Sequence, residues 1–145
     1  MSTDISIVMR FASQSDLELC FAFDHSDRQD IIENKIDMHE IILAERCGEI
    51  IGYLKLEYIW SKLPYISLIV LNPEFQGKGI GSLMLNYLIE FLQINGFEAL
   101  LSSSQVNEAD PQMWHRKMGF VECGILSGIN EDGIGEIFFR LDLVR

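Results

Sequence analysis

The chain is short of the residues that build special frameworks, with 3 cysteines, 3 histidines and 3 prolines in 145 residues. Cys20, Cys47 and Cys123 are odd in number and far apart, which fits neither a disulfide framework nor a CxxC metal or redox pair. His25, His39 and His115 show no HExxH or other ligand spacing, so no metal site is expected. Long apolar runs are also missing. The longest uncharged stretches, Leu63–Pro73 and Gly79–Ile89, are 11 residues each, against the roughly 20 that cross a bilayer. No membrane partner is expected. The opening MSTDISIV has neither the basic stretch nor the apolar core of a secretion signal, which implies a cytoplasmic location. Positive charge is scarce: 11 basic side chains face 22 acidic ones, for a net charge of −11. Such a field repels a phosphate backbone, so nucleic acid is not an expected partner; the acidic balance reads first as a soluble surface, with the attraction of a cationic amine as the alternative.

What is present reads as a single globular domain over residues 1–145. Hydrophobic residues make up 48% and charged residues 23%, enough for a core, and a chain of this size buries roughly two thirds of its unfolded surface. No linker or repeat interrupts it. Ile5, Ile7, Met9 and Phe11 alternate with Ser6, Val8 and Arg10, the period-2 pattern of a half-buried strand. Ser15 or Asp16 is placed to cap a helix through Leu17, Cys20 and Phe21, and a second helix runs through Ile31, Ile32, Lys35 and Ile36. Ile41–Glu45 and Ile50–Tyr58, separated by a turn with Gly48, read as an antiparallel hairpin. Tyr65–Leu71 is apolar at nearly every position, the pattern of a central strand covered on both faces. A long helix follows on Ile80, Met84, Leu88 and Leu92, with a second stripe on Leu85 and Ile89, and stops at Asn95-Gly96. A strand near Ala99–Ser103, a helix around Pro111–Met118 and strands at Val121–Leu126 and Glu136–Leu143 complete the chain.

Chemistry concentrates between the central strand and the long helix, in LNPEFQGKGIG, Leu71–Gly81. Gly77, Gly79 and Gly81 strip side chains from a strand-to-helix turn and let a ligand approach bare backbone. The first N–H groups of the helix have no intrahelical partners, and with the helix dipole they suit an anion such as a diphosphate. Lys78 adds a positive charge. The spacing matches neither the dinucleotide GxGxxG nor the Walker GxxxxGK.

QGKGIG, Gln76–Gly81, resembles the Q/R-x-x-G-x-G/A loop of the GNAT acyltransferase superfamily. NEADPQMWHRKMGF, Asn107–Phe120, is similar to the family's N-x-x-A-x-x-x-Y-x-K-x-G-F helix: Asn107, Lys117, Gly119 and Phe120 are present, Ala109 falls early, and His115 stands in the place of the tyrosine. The segment Met9–Asp16 also has the family's look, so the resemblance spans essentially the whole chain. It implies an α/β (α+β) fold with a mixed, mostly antiparallel sheet of about seven strands and helices on both faces. It implies that acetyl-CoA is the cosubstrate, with no metal. Main chain of Ile69, Val70 and Leu71 would hold the pantetheine and acetyl groups, amides of Gln76, Gly77, Lys78, Gly79, Ile80, Gly81 and Ser82 would wrap the diphosphate, and Asn107 would contact the cofactor arm. His115 would protonate the departing thiolate in the tyrosine's stead, with a helix-surface histidine as the alternative.

No general base is assigned, since Ser102, Ser103 and Ser104 stand where some relatives carry a carboxylate, and Glu57 is more simply an exposed pairing residue. The expected function is N-acetyl transfer to a primary amine by direct attack in a ternary complex; the alternative is a non-catalytic acyl-CoA-binding regulatory module. The acceptor class stays open among small amine, amino acid and peptide N-terminus. The two-sided helix and the β-rich C-terminus leave room for a homodimer.

Overall fold

A computed structural model describes residues 6–25 and 28–144. Its elements are β1 (Ile7–Phe11), α1 (Leu17–Phe23), α2 (Gln29–Asp37), β2 (Ile41–Arg46), β3 (Glu49–Ile59), β4 (Leu63–Leu71), α3 (Ile80–Ile94), β5 (Ala99–Gln105), α4 (Ala109–Lys117), β6 (Val121–Leu126) and β7 (Glu136–Asp142). The seven strands hydrogen-bond in the order β1-β2-β3-β4-β5-β7-β6, a mixed, mostly antiparallel sheet as expected. Ile5, expected in the first strand, lies outside the described residues. The chain divides into two compact units, one of Met1–Leu56 with Leu68–Leu88 and one of Glu57–Ser67 with Ile89–Arg145.

In the first unit β1 pairs antiparallel with β2, and β2 with β3. Side chains alternate along these strands, and each face takes its own helices. Ile41, Leu43 and Tyr53 cluster with Cys20 of α1 and Ile32 and Ile36 of α2. The opposite face meets α3, and there Gly52 leaves room for its neighbours. A Cβ on Gly52 would stand 2.8 Å from Leu71 Cδ2, 2.9 Å from Met84 Sδ and 3.1 Å from Ala44 Cβ. Burial of such aliphatic side chains contributes about 1.5–3 kcal/mol each, which is where this unit's stability comes from.

The expected side-chain cap of the first helix is corrected here. Ser15 does not provide it, and Asp16, at the N-cap of α1, makes no side-chain cap bond. Its carboxylate is taken instead by Arg10, whose Nη1 and Nη2 donate at 2.8 and 2.9 Å, and by the Ser13 amide at 2.8 Å. Guanidinium beats helix end because charge-assisted, two-pronged bonds are the stronger ones. At the other end of α1, Asp24 is buried and accepts from Lys55 Nζ at 2.8 Å and Tyr53 Oη at 2.9 Å.

In the second unit β5 pairs antiparallel with β7, and β7 with β6, while β4 joins β5 in parallel at Tyr65↔Leu101 and Ile66↔Ser102. The face bearing Ser102, Ser104 and Phe139 is buried and meets α4 through His115. The other face, with Tyr65, Ser103 and Phe138, stays half-buried. Every residue of β6 is exposed.

Candidate active site

In the first unit β4 ends at Leu71, and the Asn72 amide donates to Ile51 O at 2.9 Å, which fixes the strand's exit. A short 3-10 turn, Pro73–Phe75, follows and buries Phe75. Gln76 folds back so that its side-chain amide donates to Leu71 O at 3.2 Å. The chain then turns through Gly77 at φ +76° and Gly79 at φ +81°, the left-handed region that costs other residues about 1–2 kcal/mol. A Cβ at either position would meet nothing within 4 Å. Backbone conformation, not packing, therefore favours glycine there. Gly81 sits inside α3, where Ile80 is buried and Gly79 O accepts the first intrahelical bond from Leu83 N at 3.2 Å. Gln76–Gly79 are all exposed.

Two cations stand over Phe75 beneath this loop: Lys78 Nζ is 5.8 Å and Arg46 Cζ 5.7 Å from the ring centroid. Among the described residues the buried Arg46 Nε has no hydrogen-bond partner, a donor that an anion would satisfy. In a chain of net charge −11, this pair beside a glycine turn and a helix N-terminus fits a diphosphate. Arg46 belongs to no motif, so the sequence alone did not point to it. A cleft of about 770 Å³ opens among Leu19 and Phe23 of α1, Gly48 and Ile50 of the hairpin, and Val70 and Leu71 of β4. It brings the predicted Val70, Leu71 and Gln76 to one cavity wall. Ile69, Val70 and Leu71 are half-buried.

Asn107 and His115 belong to the second unit. Asn107 is exposed in the turn before α4, which begins at Ala109. Counted back from Gly119-Phe120, the family pattern puts its asparagine at 108, where this chain has Glu108. His115 points inward and is buried. Its ring stacks on Phe139 with centroids 4.6 Å apart and planes 7° apart. Nδ1 lies 2.7 Å from Pro111 O, and Nε2 lies 2.7 Å from Ser102 Oγ. A carbonyl only accepts, so Nδ1 carries the proton, and Nε2 accepts from the Ser102 hydroxyl. Burial lowers the imidazole pKa from its ordinary 6.5 and holds the ring neutral.

The same unit holds a polar chain that no motif announced. Tyr65 Oη is 2.6 Å from Ser103 Oγ, and Ser103 Oγ donates to Glu136 Oε2 at 2.6 Å. Asn130 Nδ2 donates to Glu136 Oε1 at 2.9 Å, and Ser67 Oγ to Glu57 Oε2 at 3.2 Å. Burial pushes the Tyr65 phenol up. Of the thiols, Cys20 is buried and pushed up to about 11, and Cys47 and Cys123 are exposed. Among the described residues no group of His, Cys, Asp and Glu side chains is arranged to hold a metal ion.

The model of the acetyltransferase (GNAT) family matches residues 11–120. The chain belongs to that family. Its members are acetyl-CoA-dependent acyltransferases. An S-alkylcysteine N-acetyltransferase of Bacillus subtilis (strain 168) is 31% identical over 80 residues, 51% of this chain and 44% of that protein, so the match spans less than half the relative's length. Among solved structures, Ard1 from Thermoplasma volcanium superposes with a TM-score of 0.85 at 14% identity, covering 96% of this chain and 99% of the other. The yncA acetyltransferase from Salmonella typhimurium, solved with acetyl-CoA, has a TM-score of 0.76 at 19% identity, with 97% and 95% covered. At these identities the structural likeness speaks for the fold.

Proposed function

We propose that the protein transfers the acetyl group of acetyl-CoA to a primary amine by direct attack, without an acyl-enzyme. The observation that carries this reading is the Gln76–Ser82 turn: two left-handed glycines with open space above them, leading into α3 beside Lys78 and Arg46. Acetyl-CoA supplies an activated thioester. The chain's own part is to bind the diphosphate through the loop amides and to present the main chain of Ile69, Val70 and Leu71 to the cofactor arm.

The acid role expected of His115 gives way in this reading to a positioning one. Both ring nitrogens are engaged by Pro111 and Ser102, so the imidazole ties α4 to β5 and has no spare proton to give. The occupied histidine also favours a second reading, an acyl-CoA-binding module without turnover. Thermal shift and thiol release separate the two. Acetyl-CoA at a hundredfold excess over its dissociation constant should stabilise the fold by about 2.7 kcal/mol, and Gly79→Asp should abolish that shift. Release of CoA with one of a panel of amines, amino acids and peptide N-termini identifies the enzyme. Stabilisation without release above buffer hydrolysis identifies the binding module. Full stabilisation of the Gly79→Asp variant would overturn the site.

A further inference from the structure

Which amine is acetylated, on the acetyl-transfer reading above, depends on what lines the cleft beside the glycine loop. Helix α1, LELCFAF, is apolar everywhere but Glu18, which gives it two apolar faces. Leu17, Cys20 and Phe21 turn one of them to the core shared with α2, β2 and β3. Leu19, Ala22 and Phe23, spaced i, i+3 and i+4, share the other, and that face lines the cleft. Leu19 and Ala22 are exposed. A single exposed aliphatic residue is ordinary, but here buried Ile50 and half-buried Val70 complete an apolar wall around the same opening. The wall is held in place from behind. Phe23 stacks on Tyr53 with centroids 6.0 Å apart and planes parallel, and Asp24, next in the chain, takes bonds from Tyr53 and Lys55.

All of these residues belong to the first unit, as does the glycine loop. Leu71 at the end of β4 and Gln76 at the start of the loop line the same cleft, so a molecule seated there borders the stretch of main chain assigned to the cofactor arm. The polar lining is sparse. Among the described residues that line the cleft none is cationic, Asn72 and Gln76 are neutral, and one carboxylate, the exposed Glu49, stands on the hairpin. Such a surface has nothing to neutralise a bound carboxylate, and it takes in an ammonium only at a desolvation cost. It favours the neutral amine, which is the form that attacks a thioester.

The geometry points to an acceptor amine whose body is apolar and uncharged, seated against Leu19, Ala22, Phe23, Ile50 and Val70. The same lining sorts the acceptor classes that the sequence left open. A free amino acid brings a carboxylate with no cation to meet it, and a polyamine brings a second ammonium into an apolar wall. A plain alkylamine, or a peptide N-terminus with an apolar first residue, brings neither. At about 770 Å³ the cleft lies within the roughly 300–1,000 Å³ of small-molecule sites. Leu19 and Ala22 determine specificity here, because they meet the body of the acceptor and not its reacting nitrogen. Each methylene that enters such a wall is worth about fourfold.

The test is steady-state thiol release with the n-alkylamines from propyl to hexyl, 1,5-diaminopentane, glycinamide, leucinamide and leucine, each rate expressed per neutral amine. The wild type, Ala22→Phe and Leu19→Asn are compared, with acetyl-CoA calorimetry on each. In the wild type kcat/KM should climb about fourfold per methylene along the alkylamines. Pentylamine should exceed 1,5-diaminopentane, and leucinamide both glycinamide and leucine, by about 10- to 100-fold. Ala22→Phe, which fills the cleft from an exposed position, should flatten the alkylamine series, and Leu19→Asn should lower its slope. The Kd for acetyl-CoA should stay within about twofold in both. Leucinamide ahead of hexylamine would assign a peptide N-terminus, and the reverse a small alkylamine. A flat wild-type series, or a preference for leucine or the diamine, would overturn the apolar acceptor and leave acetyl transfer standing. A large loss of acetyl-CoA affinity in Ala22→Phe would give the cleft to the cofactor's own arm and overturn it equally. Acetyl-CoA binding without turnover of any amine would overturn the acetyl-transfer reading, and the acceptor assignment with it.

Discussion

Replacing His115 with phenylalanine separates the structural role of that histidine from a catalytic one. Phenylalanine keeps a ring for the Phe139 stack at 4.6 Å but strands Ser102, which is 1% exposed and gives its hydroxyl proton to His115 Nε2 at 2.7 Å. A buried hydroxyl left without a partner costs about 1–3 kcal/mol. For a chain of this size each kcal/mol moves the melting point by about 3–5 °C, so His115→Phe should melt roughly 3–15 °C lower. Ser102→Ala strands Nε2 instead and should cost a similar amount. The double variant Ser102→Ala/His115→Phe strands neither group, and it should melt above the His115→Phe single variant. Urea or thermal melts monitored by circular dichroism read all three. The neutral ring adds a pH signature. Its pKa lies below the ordinary 6.5 because burial disfavours the imidazolium, so below about 6.5 the unfolded chain binds the proton that the native one refuses, and stability falls as the pH falls. His115→Phe should remove this component. Costs that simply add in the double variant, or a melting point indifferent to His115→Phe, would refute the internal hydrogen-bond account. An activity loss with no stability loss would restore the acid role.

Three further outcomes are expected. Gly52→Ala drives a methyl to 2.8 Å from Leu71 Cδ2 and 2.9 Å from Met84 Sδ, an overpacking worth about 1–3 kcal/mol in chemical denaturation; a neutral effect would mean that Leu71 and Met84 yield freely. Arg10 holds Asp16 down to about 2 from its ordinary 3.8, so this pair's contribution is present above about pH 4 and is lost as the pH falls through about 2. Arg10→Met should flatten that part of the stability profile, and an unchanged acid limb would exclude the pair as its source. A thiol reagent should titrate Cys47 and Cys123 in the native protein, and Cys20, buried and with its thiol pushed up to about 11, only after unfolding.

Patterns carried by neighbouring residues were legible in the sequence, and those that join distant strands were not. The alternation of Ile7, Met9 and Phe11, the hairpin around Gly48, the helix from Ile80 and the stop at Gly96 are local, and each appears where its period or turn residue put it. The Gln76–Gly81 loop was equally legible, because a left-handed backbone at Gly77 and Gly79 leaves its mark as glycine. Asp16 was misjudged as a cap since nothing in the order of residues shows that Arg10 folds back over it. Tyr65, Ser103 and Glu136 lie 38 and 33 positions apart, and only the strand order brings them together. His115 was read from a motif position as a surface or catalytic group. Its inward direction follows from the turn of α4 and from Ser102 and Phe139 waiting beneath it.

Titration calorimetry with acetyl-CoA and with acetylpantetheine, which has the same thioester arm but no diphosphate, tests the cofactor site most directly. The account predicts a clear binding heat for acetyl-CoA and a large loss of affinity for acetylpantetheine. Equal affinity for the two, or no heat with either, would contradict it.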